Sequence, residues 1–303
     1  FRAPTLHQKK KKKVQSSFAA GGIQLEGIIN NVSSAARLRG VPKLKAESST
    51  NYTVGAGIKP SKNFSATLDY YYISVKDRIV VGDNITFSPG NIQSFFTNAI
   101  DTKTSGLDLV ANYRNIELGP GKLDINLSGN YTIENALDGP VRNIASVEAV
   151  GQSVFGKTSE ALLLTSRPEF KVILGFDYQL SKFTFSLNNT VFGPAKFKNA
   201  DLYDKNLTVE FLTKIVSDLG ISYRATDKIS LALNVNNMFN VLPEWKLKSD
   251  GSAGAEAIVN DPATLKSQIN DLTFNGRYSQ MTYDGSHFSQ LGTMMNLSLN
   301  YKF

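Results

Sequence analysis

From residue 47 to the end of the chain, apolar and polar positions alternate with a period of two in one stretch after another. Residues 47–58 set Tyr52, Val54, Ala56 and Ile58 against Asn51, Thr53, Gly55 and Gly57. Residues 63–81 alternate Phe64, Ala66, Leu68 and Tyr70 with Ser65, Thr67, Asp69 and Tyr71, and the phase slips near Tyr72 and Ile73, as a bulge would cause. The pattern returns at Leu107–Tyr113, Leu123–Tyr131, Val172–Leu180, Phe183–Leu187, Ile215–Tyr223 and Ile229–Val235. It closes the chain with Leu291, Met295, Leu297, Leu299, Tyr301 and Phe303, interrupted only at Thr293. A period of two belongs to a strand with one apolar and one polar face, so the pattern predicts about nine strands.

The links between these stretches alternate in length. Short ones fall at 59–63, 115–121, 180–182 and 226–228; long ones fall before residue 47 and at 82–92, 136–165, 194–207 and 240–286. An up-and-down meander puts successive links at opposite ends, which gives one rim of tight turns and one of large loops. Transmembrane β-barrels are built that way, with short periplasmic turns and long extracellular loops. A soluble sandwich produces the same alternation of faces, but its strands average about 5 to 6 residues, whereas several alternations here reach the roughly 10 that cross a hydrocarbon core. The apolar faces carry no charge, and Asp69, Asp108, Asp124, Asp177 and Asp218 all fall on the other side. The ten prolines sit in links or at strand starts, as ladder hydrogen bonding requires. Tyr113, Tyr178, Phe183, Tyr223 and Tyr301 lie near the short turns, where an interfacial aromatic girdle belongs.

Composition narrows the classes further. No stretch of the 303 residues approaches the roughly 18 consecutive apolar residues of a membrane-spanning helix. The chain has no cysteine, which removes disulfides and thiol chemistry together. Its formal charge of +7 owes much to one run, Lys9–Lys13, read as a solvated or disordered loop because like charges in a block repel one another. The chain opens on Phe1 with no secretory signal near it, which suggests a mature or truncated product, a fragment of something longer.

Candidate chemistry is sparse. "GQSVFGKT", Gly151–Thr158, matches the phosphate-loop pattern at every required position. That pattern binds phosphate where a parallel strand feeds a helix, and alternating strand and helix units are missing here, so the match is read as part of the longest central loop. His7 and His287 are the only histidines and build no metal cluster or triad by spacing; no cofactor and no catalytic residue are expected. The aspartates on the polar faces read as lumen lining, hydrogen-bonded to neighbouring Lys, Asn and Tyr. Trp245, Arg277, Tyr278 and Tyr283 in the last long loop are the candidates for solute contact, since aromatic and arginine side chains suit sugars, peptides or anionic metal chelates.

Five segments carry a family resemblance: "FRAPTLHQ" at 1–8, "VPKLKAESSTNYTVG" at 41–55, "LDYYYISVKDRIV" at 68–80, "LNVNNMFN" at 233–240 and "NLSLNYKF" at 296–303. In this order they resemble the carboxyl-terminal half of the barrel of TonB-dependent outer-membrane receptors. The resemblance implies an all-β, antiparallel transmembrane barrel of about 22 strands, of which these would be the last nine. Residues 1–46 would be the extracellular loop before the first complete strand and 47–303 the barrel strands with their loops. It implies import of a scarce solute, such as a ferric siderophore, a glycan or a peptide, through a plug and TonB box that this chain does not contain. The implied place is the bacterial outer membrane. The implied partners are membrane lipid and lipopolysaccharide, the TonB complex, the barrel-assembly machinery and a surface lipoprotein, with no nucleic acid. Phe303, with Tyr301 before it, would be the signal read in assembly. A passive channel and a soluble extracellular binding module stay open as alternative functions.

Overall fold

The computed structural model describes residues 1–19, 22–273 and 288–303. A capping box between Thr5 and Gln8 starts helix α1 (Leu6–Lys10), and strands β1 (Lys13–Ala19) and β2 (Gly22–Ile29) follow as an antiparallel pair. Helix α2 (Ser34–Leu38), capped by Ser33, leads to β3 (Ser48–Ile58), β4 (Phe64–Val81) and the short β5 (Ile85–Ser88). Then come β6 (Asn91–Leu118), β7 (Gly121–Leu137), helices α3 (Ala145–Glu148) and α4 (Lys157–Leu164), β8 (Phe170–Leu180) and β9 (Phe183–Phe192). The link to the next long strand holds β10 (Ala195–Phe197), α5 (Ala200–Asp204) and β11 (Leu207–Phe211). Last are β12 (Lys214–Arg224), β13 (Ile229–Asn236), β14 (Trp245–Ser249), α6 (Ala253–Asn260), α7 (Pro262–Leu272) and β15 (Met294–Tyr301).

The nine stretches that the alternation predicts are β3, β4, β6, β7, β8, β9, β12, β13 and β15. They belong to one sheet in chain order, with β3 beside β4, β4 beside β6, and then β6, β7, β8, β9, β12, β13 and β15. Antiparallel neighbours joined by tight turns give this meander directly. Every proline lies outside the strands. In β4 the residue in left-handed backbone is Asp77, at φ 53°, four residues beyond the stretch where the sequence pattern slips.

The chain divides into two compact units, and β3, β4, β6 and β7 each contribute a segment to both. One unit comprises 1–52, 72–105 and 134–163. Its core is a cluster of Ala36, Val41, Ile85, Phe95, Ala99, Ile100, Val147, Val154 and Phe155. Residues 1–46, expected as a loop, carry regular elements here: β1 pairs with β2, and β2 runs parallel to β6 from Leu25↔Asn91 to Ile29↔Phe95. The Lys9–Lys13 run spans the end of α1 and the first residue of β1, and among the described residues it makes no ion pair.

The other unit comprises 53–71, 106–133 and 164–303 and holds the regular wall. Register fixes its two faces. Ile125, Phe176, Leu187, Leu219, Val235 and Met295 stand side by side across six strands. One residue along, the row reads Asp124, Asp177, Ser186, Gly220, Asn234 and Asn296. The apolar side is open to its surroundings, with Leu297 75% and Leu299 67% exposed. An apolar face of this extent is not left to water in a soluble domain; it is the lipid side of a barrel wall.

The polar side is cross-linked. Asp177 accepts from Ser186 Oγ at 2.5 Å and Asn126 Nδ2 at 3.2 Å. Asp124 accepts the Asn115 N–H at 2.7 Å, and Asp218 accepts the Asn237 N–H at 2.7 Å. Asn130 Nδ2 reaches both Asp108 at 2.7 Å and the Tyr71 hydroxyl at 3.2 Å. Asp108, Asp124, Asp177 and Asp218 on this face are thus hydrogen-bonded to neighbouring amides and, for Asp177, a hydroxyl. Near the short turns, Phe183 stacks on Tyr223 with centroids 4.6 Å apart, and Phe64 lies 6.1 Å from Tyr113, which gives the expected aromatic rim.

Candidate functional site

The long links are where a wall of this kind carries chemistry, and two of them fold into one body. β10, β11 and β14 form a three-stranded sheet of their own, in the order β10, β11, β14. Alternation explains its stability: Leu207, Val209 and Phe211 of β11 are buried, as are Ala195 and Phe197 of β10. The helices of these links add buried Leu202, Ala255 and Leu272. Local signals set the helices. Asn199 caps α5 through the Leu202 N–H, and Asp261 caps α7 through the Thr264 N–H at 2.8 Å, with Pro262 at the first turn. The Thr264 hydroxyl, and then that N–H, hold the Asp261 carboxyl below its ordinary pKa, with burial opposing.

Trp245 opens β14 opposite Phe211 and is half-buried. It lines a groove of about 430 Å³ with Pro243, Leu247, Leu265 and Ile269. Glu244 beside it is ion-paired to Lys214, whose hydrogen bond and charge hold its carboxyl below the ordinary value. Of the other residues expected to touch solute, Arg277, Tyr278 and Tyr283 lie outside the described residues, as does His287. Leu265 and Ile269, one helical turn apart, are groove residues that sequence reading missed. Asp261-Pro262 is a helix-start signal that could have found α7.

A second polar cluster stands in the other unit, where sequence reading named none of its members. Asp101 of β6 accepts from Arg142 Nη2 at 2.9 Å and from the Asp77 N–H at 2.8 Å, with Lys76 Nζ 3.6 Å away. Lys76 lies 2.5 Å from Asp138, and Arg142 Nη2 lies 3.4 Å from Asp77. Arg142 Nε also donates to the Asn98 carbonyl at 3.1 Å, and Asn98 donates to the Asp77 carbonyl at 2.6 Å. The arrangement is a clamp tying the 138–142 link to β4 and β6, and it also holds Asp77 in its left-handed conformation.

The phosphate-loop match resolves the same way. Helix α4 begins at Lys157, and the Asp83 carboxylate accepts the Gly156 N–H at 3.0 Å and the Ser159 hydroxyl. An acidic side chain thus occupies the helix start that a phosphate would need. His7 makes an edge contact with Phe96, centroids 6.1 Å apart. At the end of the chain Tyr301 pairs with Ile229, and its ring meets that of Phe303 edge-on at 5.1 Å. Phe303 is fully exposed.

Comparison with solved structures returns barrels of transport receptors. The siderophore receptor PirA from Acinetobacter baumannii aligns over 98% of this chain and 37% of its own, with 14% identity and a TM-score of 0.56. A mutant of the ferric enterobactin receptor PfeA from Pseudomonas aeruginosa covers 79% of this chain and 31% of its own, at 17% identity and a TM-score of 0.52. The FrpB iron transporter from Neisseria meningitidis covers 87% and 32%, at 14% identity and a TM-score of 0.52. At these identities the likeness is one of fold, and the chain spans about a third of the length of each of these proteins. Comparison with curated proteins returns no match. The family model for the TonB dependent receptor-like β-barrel matches residues 1–238. With nine wall strands in chain order behind that match, the chain belongs to the TonB-dependent receptor family as part of its β-barrel.

Proposed function

We propose that this chain is the carboxyl-terminal part of an outer-membrane receptor that imports a scarce solute, a ferric siderophore, a glycan or a peptide, with energy delivered by TonB. The observation that carries this reading is the pair of adjacent rows across six strands. The row ending in Met295 is wholly apolar and suits lipid, and the row ending in Asn296 is polar and suits a lumen. The loop body around Trp245 supplies a concave surface for a solute.

In this reading residues 1–46 precede the first complete strand on the outer side. A plug and TonB box elsewhere in the native protein couple to the TonB complex, the barrel-assembly machinery reads Phe303, and lipid and lipopolysaccharide surround the wall. A surface lipoprotein would be an accessory partner at the loops. Uptake by cells expressing the native receptor tests the reading, with labelled ferric siderophores, oligosaccharides and peptides offered separately. The expected result is accumulation of one solute class that stops when TonB is removed. Entry at the same rate without TonB would make the protein a passive channel.

A further inference from the structure

The groove beside Trp245 has the construction of a strand-addition site. Its lining on one side is the consecutive run 243–247, both odd and even residues, so it follows the edge of β14 and not one face. Among the described residues that edge is free: β14 is the terminal strand of its sheet and pairs there only with β11. The hydrogen-bond phase says which groups it offers. The Leu212 N–H donates to the Glu244 carbonyl at 2.8 Å and the Asp250 N–H donates to the Asn206 carbonyl at 3.1 Å, so even-numbered residues turn their backbone toward β11. In an antiparallel ladder the residues between them turn the other way. The N–H and C=O of Trp245 and Leu247 therefore point out of the sheet into the groove. Its far wall is Leu265 and Ile269, which share one face of α7.

A free strand edge facing an apolar helix face takes an extended peptide, with main-chain hydrogen bonds giving affinity and alternate side chains giving selectivity. Charge sets the pattern. Glu244 is neutralised by Lys214, while Lys246 is exposed and makes no ion pair among the described residues. Size sets the length. A stable folded partner needs roughly 1,200 to 2,000 Å² of interface, which the edge of a five-residue strand facing two helix residues does not supply.

We propose that this groove binds a short extended peptide that adds as a strand to β14, with apolar residues flanking an acidic one that meets Lys246. The proposal rests on the import reading and names the solute class as peptide.

The probe is the acetylated, amidated tripeptide Leu-Asp-Leu, titrated into the full chain in detergent while the emission of Trp245, the only tryptophan of the 303 residues, is followed. A Trp245→Phe variant identifies that signal. The expected result is a saturable change that weakens at least tenfold when the aspartate amide of the probe is N-methylated. Replacing the probe aspartate by lysine should weaken binding in the wild type and much less in Lys246→Gln. No saturable change, or equal binding of the N-methylated probe, would overturn strand addition. Binding needs no energised membrane, so tripeptide binding without TonB-dependent uptake would sink the import reading alone, and TonB-dependent uptake without tripeptide binding would sink this inference alone.

Discussion

Tyr178 lays its ring across Gly121 on the neighbouring strand and donates its hydroxyl to the Leu118 carbonyl at 2.9 Å. A Cβ at position 121 would stand 2.4 Å from the Gln179 carbonyl oxygen and 2.7 Å from the Tyr178 ring carbon that bears the hydroxyl. The glycine is there so that an aromatic side chain can cover the turn between β6 and β7, a device that pins register at a sheet rim. Gly121→Ala should cost about 1 to 3 kcal/mol, the usual range for forcing an atom into a packed site. Denaturant unfolding of the refolded barrel reads it; Gly121→Ala with Tyr178→Ala should recover only part of the loss, because the Gln179 carbonyl stays 2.4 Å from the new Cβ.

The wall rows make a second prediction. Leu297 lies on the apolar row and Ser298 on the polar one, adjacent in β15. Leu297→Arg should destabilise the barrel by roughly 2 to 4 kcal/mol if it lies near the bilayer midplane. Ser298→Arg should change stability little, because its side chain meets the lumen. Folding into lipid vesicles measures both, and equal effects would contradict the assignment of faces.

The clamp around Asp101 makes a third prediction. Arg142 donates to the Asp101 carboxylate and to the Asn98 carbonyl, and the Asp138 N–H donates to the Asp101 carbonyl. Arg142→Gln should untie the 138–142 link from β6 and speed hydrogen exchange of the Asp138 amide. Unchanged exchange would remove Arg142 from the clamp.

What was legible in the sequence follows from range. The wall strands show because each residue's neighbours two positions away share its face, so Leu231, Leu233 and Val235 announce a strand without any partner being known. β10, β11 and β14 have three to five residues each, too short for a period to stand out within long links. The Asp101 clamp was invisible because Asp77 and Arg142 lie 24 and 41 residues away and only the fold brings them together. Gly151–Thr158 shows the converse. A pattern complete in sequence is answered by Asp83, more than seventy residues earlier, whose carboxylate takes the helix start. Trp245 was found by residue type alone; the free strand edge beside it needed the register of β11.

The end of the chain makes a fourth prediction, on assembly. Tyr301 and Phe303 form an edge-on pair at the rim, and Phe303 is otherwise fully exposed. Deleting Phe303 should leave the stability of barrel already folded in vitro within about 0.5 kcal/mol, the usual range for surface changes. If Phe303 is an assembly signal, the same deletion should lower the amount of folded receptor in cell envelopes severalfold. Equal amounts of folded receptor would make Phe303 a plain rim aromatic.

The most direct test of the account is the environment of each side chain along β15. The chain has no cysteine, so single cysteines at 295–300 can each carry a nitroxide in protein reconstituted into bilayers. Collision with oxygen, which concentrates in lipid, and with a water-soluble nickel chelate is then measured by electron paramagnetic resonance. The account predicts a period of two, with 295, 297 and 299 accessible to oxygen and 296, 298 and 300 to the chelate. High chelate accessibility at all six positions would contradict a membrane wall and point to a soluble sheet.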